Sequence, residues 1–78
     1  MARLLLLGPA REAAGVREDE VAGDSLEKVL AVARARYGEA FAAILATSQV
    51  WVNGEPAGPE SPVAPYDEVA VLPPVSGG

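Results

Sequence analysis

The chain has no cysteine and no histidine. Without cysteine there is no disulfide, no thiolate metal site and no cysteine nucleophile. Without histidine the commonest general base and zinc ligand is missing too. A self-sufficient active site is therefore not expected in these 78 residues, and any chemistry would have to be completed by another protein. Basic residues are missing from the second half. All six Lys and Arg lie in residues 1–36, beside six acidic side chains, whereas residues 37–78 hold only Glu39, Glu55, Glu60, Asp67 and Glu68. The net charge of −5 thus belongs to the second half. Nucleic-acid binding rests on Lys and Arg neutralising phosphates, so this distribution argues against it. A basic protein partner fits better, because complementary fields raise the encounter rate and favour one docking orientation. An acidic surface also serves solubility alone. Long apolar runs are missing as well. The longest, Leu4 to Leu7, is far short of the roughly 20 residues that span a membrane, and with no signal sequence visible the expectation is a cytoplasmic protein.

What is present reads as one small α+β domain. Arg3 to Leu7 is expected to be a strand, apolar on both faces and bounded by Gly8-Pro9. Residues 10–15 allow a turn or two of helix, stopped by Gly15. Arg17 to Ala22 reads as a weak, charged strand of the kind found at sheet edges. The clearest element is a helix from Leu26 to Tyr37. Asp24 or Ser25 is its N-cap, Asp24-x-x-Glu27 is placed for a capping box, and Gly38 is the stop. Leu26, Val29, Leu30, Ala33 and Tyr37 form its apolar stripe, which puts Leu30 in the core. A second, short helix is expected over Glu39 to Ala46, with Phe41 and Ile44 as core fillers. Gln49 to Val52 reads as a strand ending in an Asn53-Gly54 hairpin turn, since both residues accept positive φ. The prolines at 56, 59, 62 and 65 make the return segment irregular, with one short edge strand at best. Pro65-Tyr66-Asp67 turns the chain into a last strand, Val69 to Leu72.

The first and last strands are apolar at every position, yet one main helix covers only one face of a sheet. If Leu4, Leu6, Val69 and Val71 face the helix, then Leu5, Leu7, Ala70 and Leu72 face outward by the period-two rule, and such an exposed patch marks a partner surface. Trp51 reads either as a core filler or as part of that surface. Beyond the last strand, Pro73-Pro74 removes two backbone donors and holds the chain extended. From Pro74 the remaining residues can carry the terminal carboxylate roughly 16 Å from the domain. Gly-Gly by itself would read as a frayed end. A strand, a proline brake and a diglycine finish together read as an arm that delivers its α-carboxylate into a narrow channel.

The ending Glu68-Val69-Ala70-Val71-Leu72-Pro73-Pro74-Val75-Ser76-Gly77-Gly78 closely resembles that of the small subunit of molybdopterin synthase, a ubiquitin-like sulfur carrier. The likeness runs the length of the chain, and Val50-Trp51-Val52-Asn53-Gly54 matches another element of that family and of its thiamine-pathway relatives. Tyr66 departs from it, since the family commonly has Asp-Gly-Asp at that turn. The resemblance implies a β-grasp fold, with a mixed sheet of four to five strands and one main helix on one face. It implies a division into a domain of residues 1–73 and a flexible sulfur-carrying tail of residues 74–78. Gly78 would be adenylated with ATP by an activating enzyme and converted to a thiocarboxylate. Gly77 would keep the arm narrow, with Pro74, Val75 and Ser76 spacing it from the domain. Leu7, Leu72 and Pro73 would contact the large catalytic subunit in a heterotetramer. No cofactor would be bound by this chain, ATP being used by the activating partner, and the chain would not be an enzyme by itself. The alternatives are a carrier for thiamine synthesis, tRNA thiolation or cysteine synthesis, a ubiquitin-like protein modifier attached through Gly78, and a plain binding module with a passive tail.

Overall fold

The computed structural model describes residues 1–74, so the expectations placed on Val75, Ser76, Gly77 and Gly78 lie outside the described residues. The elements follow in the order β1 (Ala2–Leu6), α1 (Gly8–Ala14), β2 (Glu18–Val21), α2 (Leu26–Tyr37), α3 (Glu39–Ala46), β3 (Gln49–Val52), β4 (Glu55–Pro56) and β5 (Glu68–Leu72). The strands form one mixed sheet in the order β2-β1-β5-β3-β4. The terminal strands β1 and β5 pair in parallel at its centre, and the other pairs are antiparallel. The first strand begins and ends one residue earlier than expected. Pro9 starts α1 within its first turn, so Leu7 becomes the N-cap of that helix rather than the end of β1.

Helix α2 has the bounds read from its apolar spacing. Its cap is Ser25, whose Oγ accepts the Lys28 amide at 3.3 Å. The expected box from Asp24 does not form. Asp24 instead pairs with Lys28 one turn on, at 3.1 Å, and gives its backbone carbonyl to the Val63 amide. The first amides of a helix have no partner within it, and here the proline-rich return segment supplies two of them. Leu26 N–H donates to the Ser61 carbonyl and Glu27 N–H to that of Pro59, both at 2.9 Å. That segment is irregular apart from β4 because it follows the end of α2 rather than a strand.

All three helices lie on one face of the sheet and seal a single core. Leu4 and Leu6 of β1, Val21 of β2, Val69 and Val71 of β5, Leu26, Val29 and Ala33 of α2, Ala10 of α1 and Phe41 of α3 are at most 1% exposed. Among the described residues no polar or charged side chain is buried, so the core makes no hydrogen-bond demand of its own. Leu45 joins this core, whereas Ile44 and Leu30, expected within it, only pack against its margin. Gly23 is needed where the loop from β2 meets α2, because a Cβ there would lie 2.9 Å from Val29 Cγ2. The charged edge expected of β2 is present and partly closed. The Arg36 guanidinium donates to the Glu20 carbonyl at 2.9 Å and to Asp19 Oδ2 at 3.0 Å, occupying backbone that an edge strand would otherwise offer to a second sheet.

Candidate functional site: the uncovered sheet face and the tail exit

Strand β5 runs between β1 and β3, so the segment leading to the carboxyl end leaves from the middle of the sheet. The last pair of the parallel ladder is Leu6–Val71. Leu7 and Leu72 each follow it by one residue, and alternation turns both away from the helices. Leu7 is 49% exposed. Leu72 and Pro73 are half-buried and Pro74 is exposed. The three residues expected at a partner contact thus stand together at one end of the uncovered face. With Thr47, Gln49 and Pro74, Leu72 and Pro73 line a shallow hollow at the exit.

The rest of that face follows from the register. Leu5, Ala70, Trp51 and Pro56 lie opposite one another on β1, β5, β3 and β4, and the first three are half-buried with no helix over them. Trp51 is therefore not a core filler. Its neighbours Val50 and Val52 take the core side, next to Val71 and Val69. The indole N–H donates to Gln49 Oε1 at 3.2 Å. Gln49, unremarked in the sequence, stands opposite Leu72, and the i, i+2 spacing of Gln49 and Trp51 was the signal that could have found the pair. Toward the other end the face becomes ionic, where Arg3 lies opposite Glu20 on one side and Glu68 on the other. Arg3 reaches Glu18 at 3.2 Å.

Turns at the far end hold β5 in place. Asn53 and Gly54 have φ of 51° and 82°, as a type I′ hairpin requires, and Asn53 Oδ1 accepts the Glu68 amide at 2.9 Å. Tyr66 has φ of 72° and is 89% exposed. Glycine is the usual occupant of such a position after proline, so this turn stores strain. It is held by the Tyr66 amide donating to the Met1 carbonyl at 3.0 Å and the Asp67 amide to that of Ala64 at 3.1 Å. The Asn53 side chain, followed by the Ala64 amide, holds the Asp67 carboxyl below its ordinary value. On the helix side, Tyr37 donates its hydroxyl to Asp19 Oδ2. That bond, the Glu20 amide and Arg36 lower the Asp19 carboxyl, while burial and Asp19 push the Tyr37 phenol up to about 12.

A concavity of about 560 Å³ lies elsewhere, between α2, α3 and β3. Leu26, Leu30, Leu45 and Val50 line it and Arg34 is its one charged group. Nothing in it offers acid–base chemistry, so the sheet face and its exit remain the candidate site. No helix among the described residues is long and apolar enough to cross a membrane.

The ThiS family pattern matches residues 4–78. No curated protein matches the chain in sequence. Among solved structures, small archaeal modifier protein 1 of Methanosarcina acetivorans superposes with a TM-score of 0.88 at 26% identity, over 99% of this chain and 95% of that one. A chain of the Amycolatopsis orientalis BexX/CysO complex matches at 0.85 and 21% identity over 100% of both chains. One from the complex of subunits 1 and 2 of molybdopterin-converting factor of Helicobacter pylori matches at 0.75 and 19%, over 99% and 97%. These likenesses bear out the β-grasp fold, which the chain shares with subunit 1 of the molybdopterin-converting factor. With the family pattern spanning nearly every residue, the chain belongs to the ThiS family, as a small ubiquitin-like sulfur carrier or modifier.

Proposed function

We propose that this protein is the sulfur-carrying small subunit of a molybdopterin synthase. The observation that carries the reading is that the family pattern extends through residue 78, which makes Gly77-Gly78 part of the shared pattern. The finer assignment is supported by the Pro73-Pro74-Val75-Ser76-Gly77-Gly78 ending. Residues 1–73 serve as the docking body and residues 74–78 as the arm. The activating enzyme brings the Gly78 carboxylate, ionised because its reference pKa is about 3.3 to 3.7, in line with the α-phosphate of ATP. Attack expels pyrophosphate and forms an acyl-adenylate. A sulfur nucleophile supplied by the partner then displaces AMP and leaves a thiocarboxylate. The arm next enters the large catalytic subunit, with Leu7, Leu72 and Pro73 at the contact, and yields its sulfur to the pterin precursor within a heterotetramer. The chain itself contributes a thin, correctly measured arm and no acid–base group.

Mass spectrometry after incubation with the activating enzyme, ATP and a sulfur source tests this. Wild type should gain about 16 Da as sulfur replaces oxygen at the acyl carbon. Deleting Gly78 withdraws the carboxyl by about 3.5 Å. A misplacement of about 1 Å can already cost 100-fold, so conversion should fall by more than that. Full conversion of the deletion variant would overturn the proposal. A second reading, a protein modifier joined through Gly78 to lysines of other proteins, is favoured by the 26% identity to the archaeal modifier. It requires isopeptide-linked conjugates in place of, or beside, the sulfur adduct.

A further inference from the structure

We propose that Trp51 is the anchor by which partner proteins grip this carrier, and that Gln49 is a positioning residue that aims it toward the tail exit. The proposal rests on the sulfur-carrier reading above and names a contact outside Leu7, Leu72 and Pro73. Trp51 is the chain's one tryptophan, and it lies on the sheet face that no helix covers, opposite Ala70. Ala70 gives that row a low floor between Leu5 and Trp51, so the indole is the largest side chain standing on it. The hydrogen bond from its N–H to Gln49 Oε1 fixes its direction. Gln49 is two residues back on the same strand and opposite Leu72, so the ring is drawn along β3 toward the hollow formed with Pro73 and Pro74. A flat aromatic side chain held in one orientation loses little freedom on docking, and tryptophan is the residue type most enriched among those that carry binding energy.

The occupant is a protein surface with an apolar pocket and a basic rim. Beyond the apolar row the face carries Glu20 and Glu68 on either side of Arg3, with Glu18 beside them, while Arg11 and Arg17 stand at the opposite, Leu7 end, where they line a hollow with Leu5 and Leu7. A second copy of this chain would set two such acidic margins against each other, which costs binding. A pocket rimmed by Lys and Arg would receive Trp51 at its centre and meet these carboxylates at its edge.

The test uses the full chain labelled with fluorotryptophan, which gives one fluorine NMR resonance. It is titrated with the purified activating enzyme and, separately, with the large subunit. The resonance should shift and saturate together with binding measured by calorimetry. Trp51→Ala should weaken binding by about 30-fold or more, the loss that defines a dominant contact. Trp51→Phe should fall between this and wild type, and it keeps the test alive if the alanine variant proves poorly folded by circular dichroism. Gln49→Met should weaken binding by roughly 3- to 10-fold in the wild-type background. It should have no effect in Trp51→Phe, which has no N–H to aim, an outcome that mere loss of stability would not produce. A wild type that binds and gains sulfur while its resonance stays unmoved, or Trp51→Ala binding within about twofold of wild type, overturns the proposal and leaves the carrier function standing. A resonance that moves only with the chain's own concentration assigns the face to self-association and also overturns it. A wild type that neither binds the enzyme nor gains sulfur removes the carrier reading and this one with it.

Discussion

Leu4 and Leu5 are adjacent, identical in chemistry and set in the same central strand, yet Leu4 is fully sealed and Leu5 stands half-exposed on the uncovered face. The same division separates Val69 and Val71 from Ala70 and Leu72 on β5, and Val50 and Val52 from Trp51 on β3. Hydrophobicity does not decide which side a residue takes. Period-two alternation does, once the helices have occupied one face. The inner face is spent on stability, and the outer face, left apolar without a covering layer, is available for a partner.

The largest test of this contrast places the same charge on each face. Leu4→Glu should prevent folding, because it sets an unpaired carboxylate in a core that offers no polar group. Leu72→Glu should retain the wild-type circular dichroism spectrum while weakening binding to the large subunit by about 2 to 4 kcal/mol. An unfolded Leu72→Glu would put that residue on the wrong face. Cavity substitutions grade the inner face more finely. Leu4→Ala should lower stability by roughly 2 to 5 kcal/mol in urea denaturation. Leu30→Ala, at the margin of the core rather than inside it, should cost about 1 to 2 kcal/mol. Equal losses would mean that the burial difference has no energetic consequence.

The turn into β5 offers a gain. Tyr66→Gly should relieve a left-handed backbone that a bulky residue disfavours, raising stability by about 0.5 to 1 kcal/mol after the extra freedom of glycine in the unfolded chain is counted. Destabilisation would show that the exposed ring holds the turn by some other contact. The smallest effects concern pH. Asp19 and Asp67 are held below their ordinary values. Their contribution is therefore present above the unfolded carboxylate value of about 3.9 and is lost as pH falls through the lower folded values. Tyr37 is pushed up to about 12. Its contribution is present below the unfolded value of about 10 and is lost as pH rises through the folded one. Urea midpoints should decline in both windows, and Tyr37→Phe should flatten the alkaline decline and, because the Tyr37 hydroxyl is the first cause of the lowered Asp19 carboxyl, weaken the acid one as well. An unchanged alkaline limb in that variant would remove Tyr37 as its source.

Elements governed by neighbours in sequence were legible before the structure. Helix α2 was bounded by its apolar spacing and by Gly38, α3 by the helical spacing of Phe41 and Ile44, and the Asn53-Gly54 turn by the demand for positive φ. Errors arose where two distant segments compete for one group. Asp24 could not be recognised as Lys28's partner, nor the choice of cap between Asp24 and Ser25 be made, without the return segment that occupies the Asp24 carbonyl. Ile44 and Leu45 are equally apolar, and only the packing of α3 against α1 and α2 sends Leu45 inward. Trp51 was undecided because a single strand does not say which of its faces is covered.

What the sequence by itself determined is the set of local elements, since capping, periodicity and turn preferences act within a few residues. The tertiary structure alone decided the pairing of β1 with β5, the capping of α2 by the Pro59–Ser61 carbonyls and the gathering of Leu7, Leu72, Trp51 and Gln49 on one face. Those depend on register and on which side the helices fall, and both are settled only when segments far apart in the chain meet.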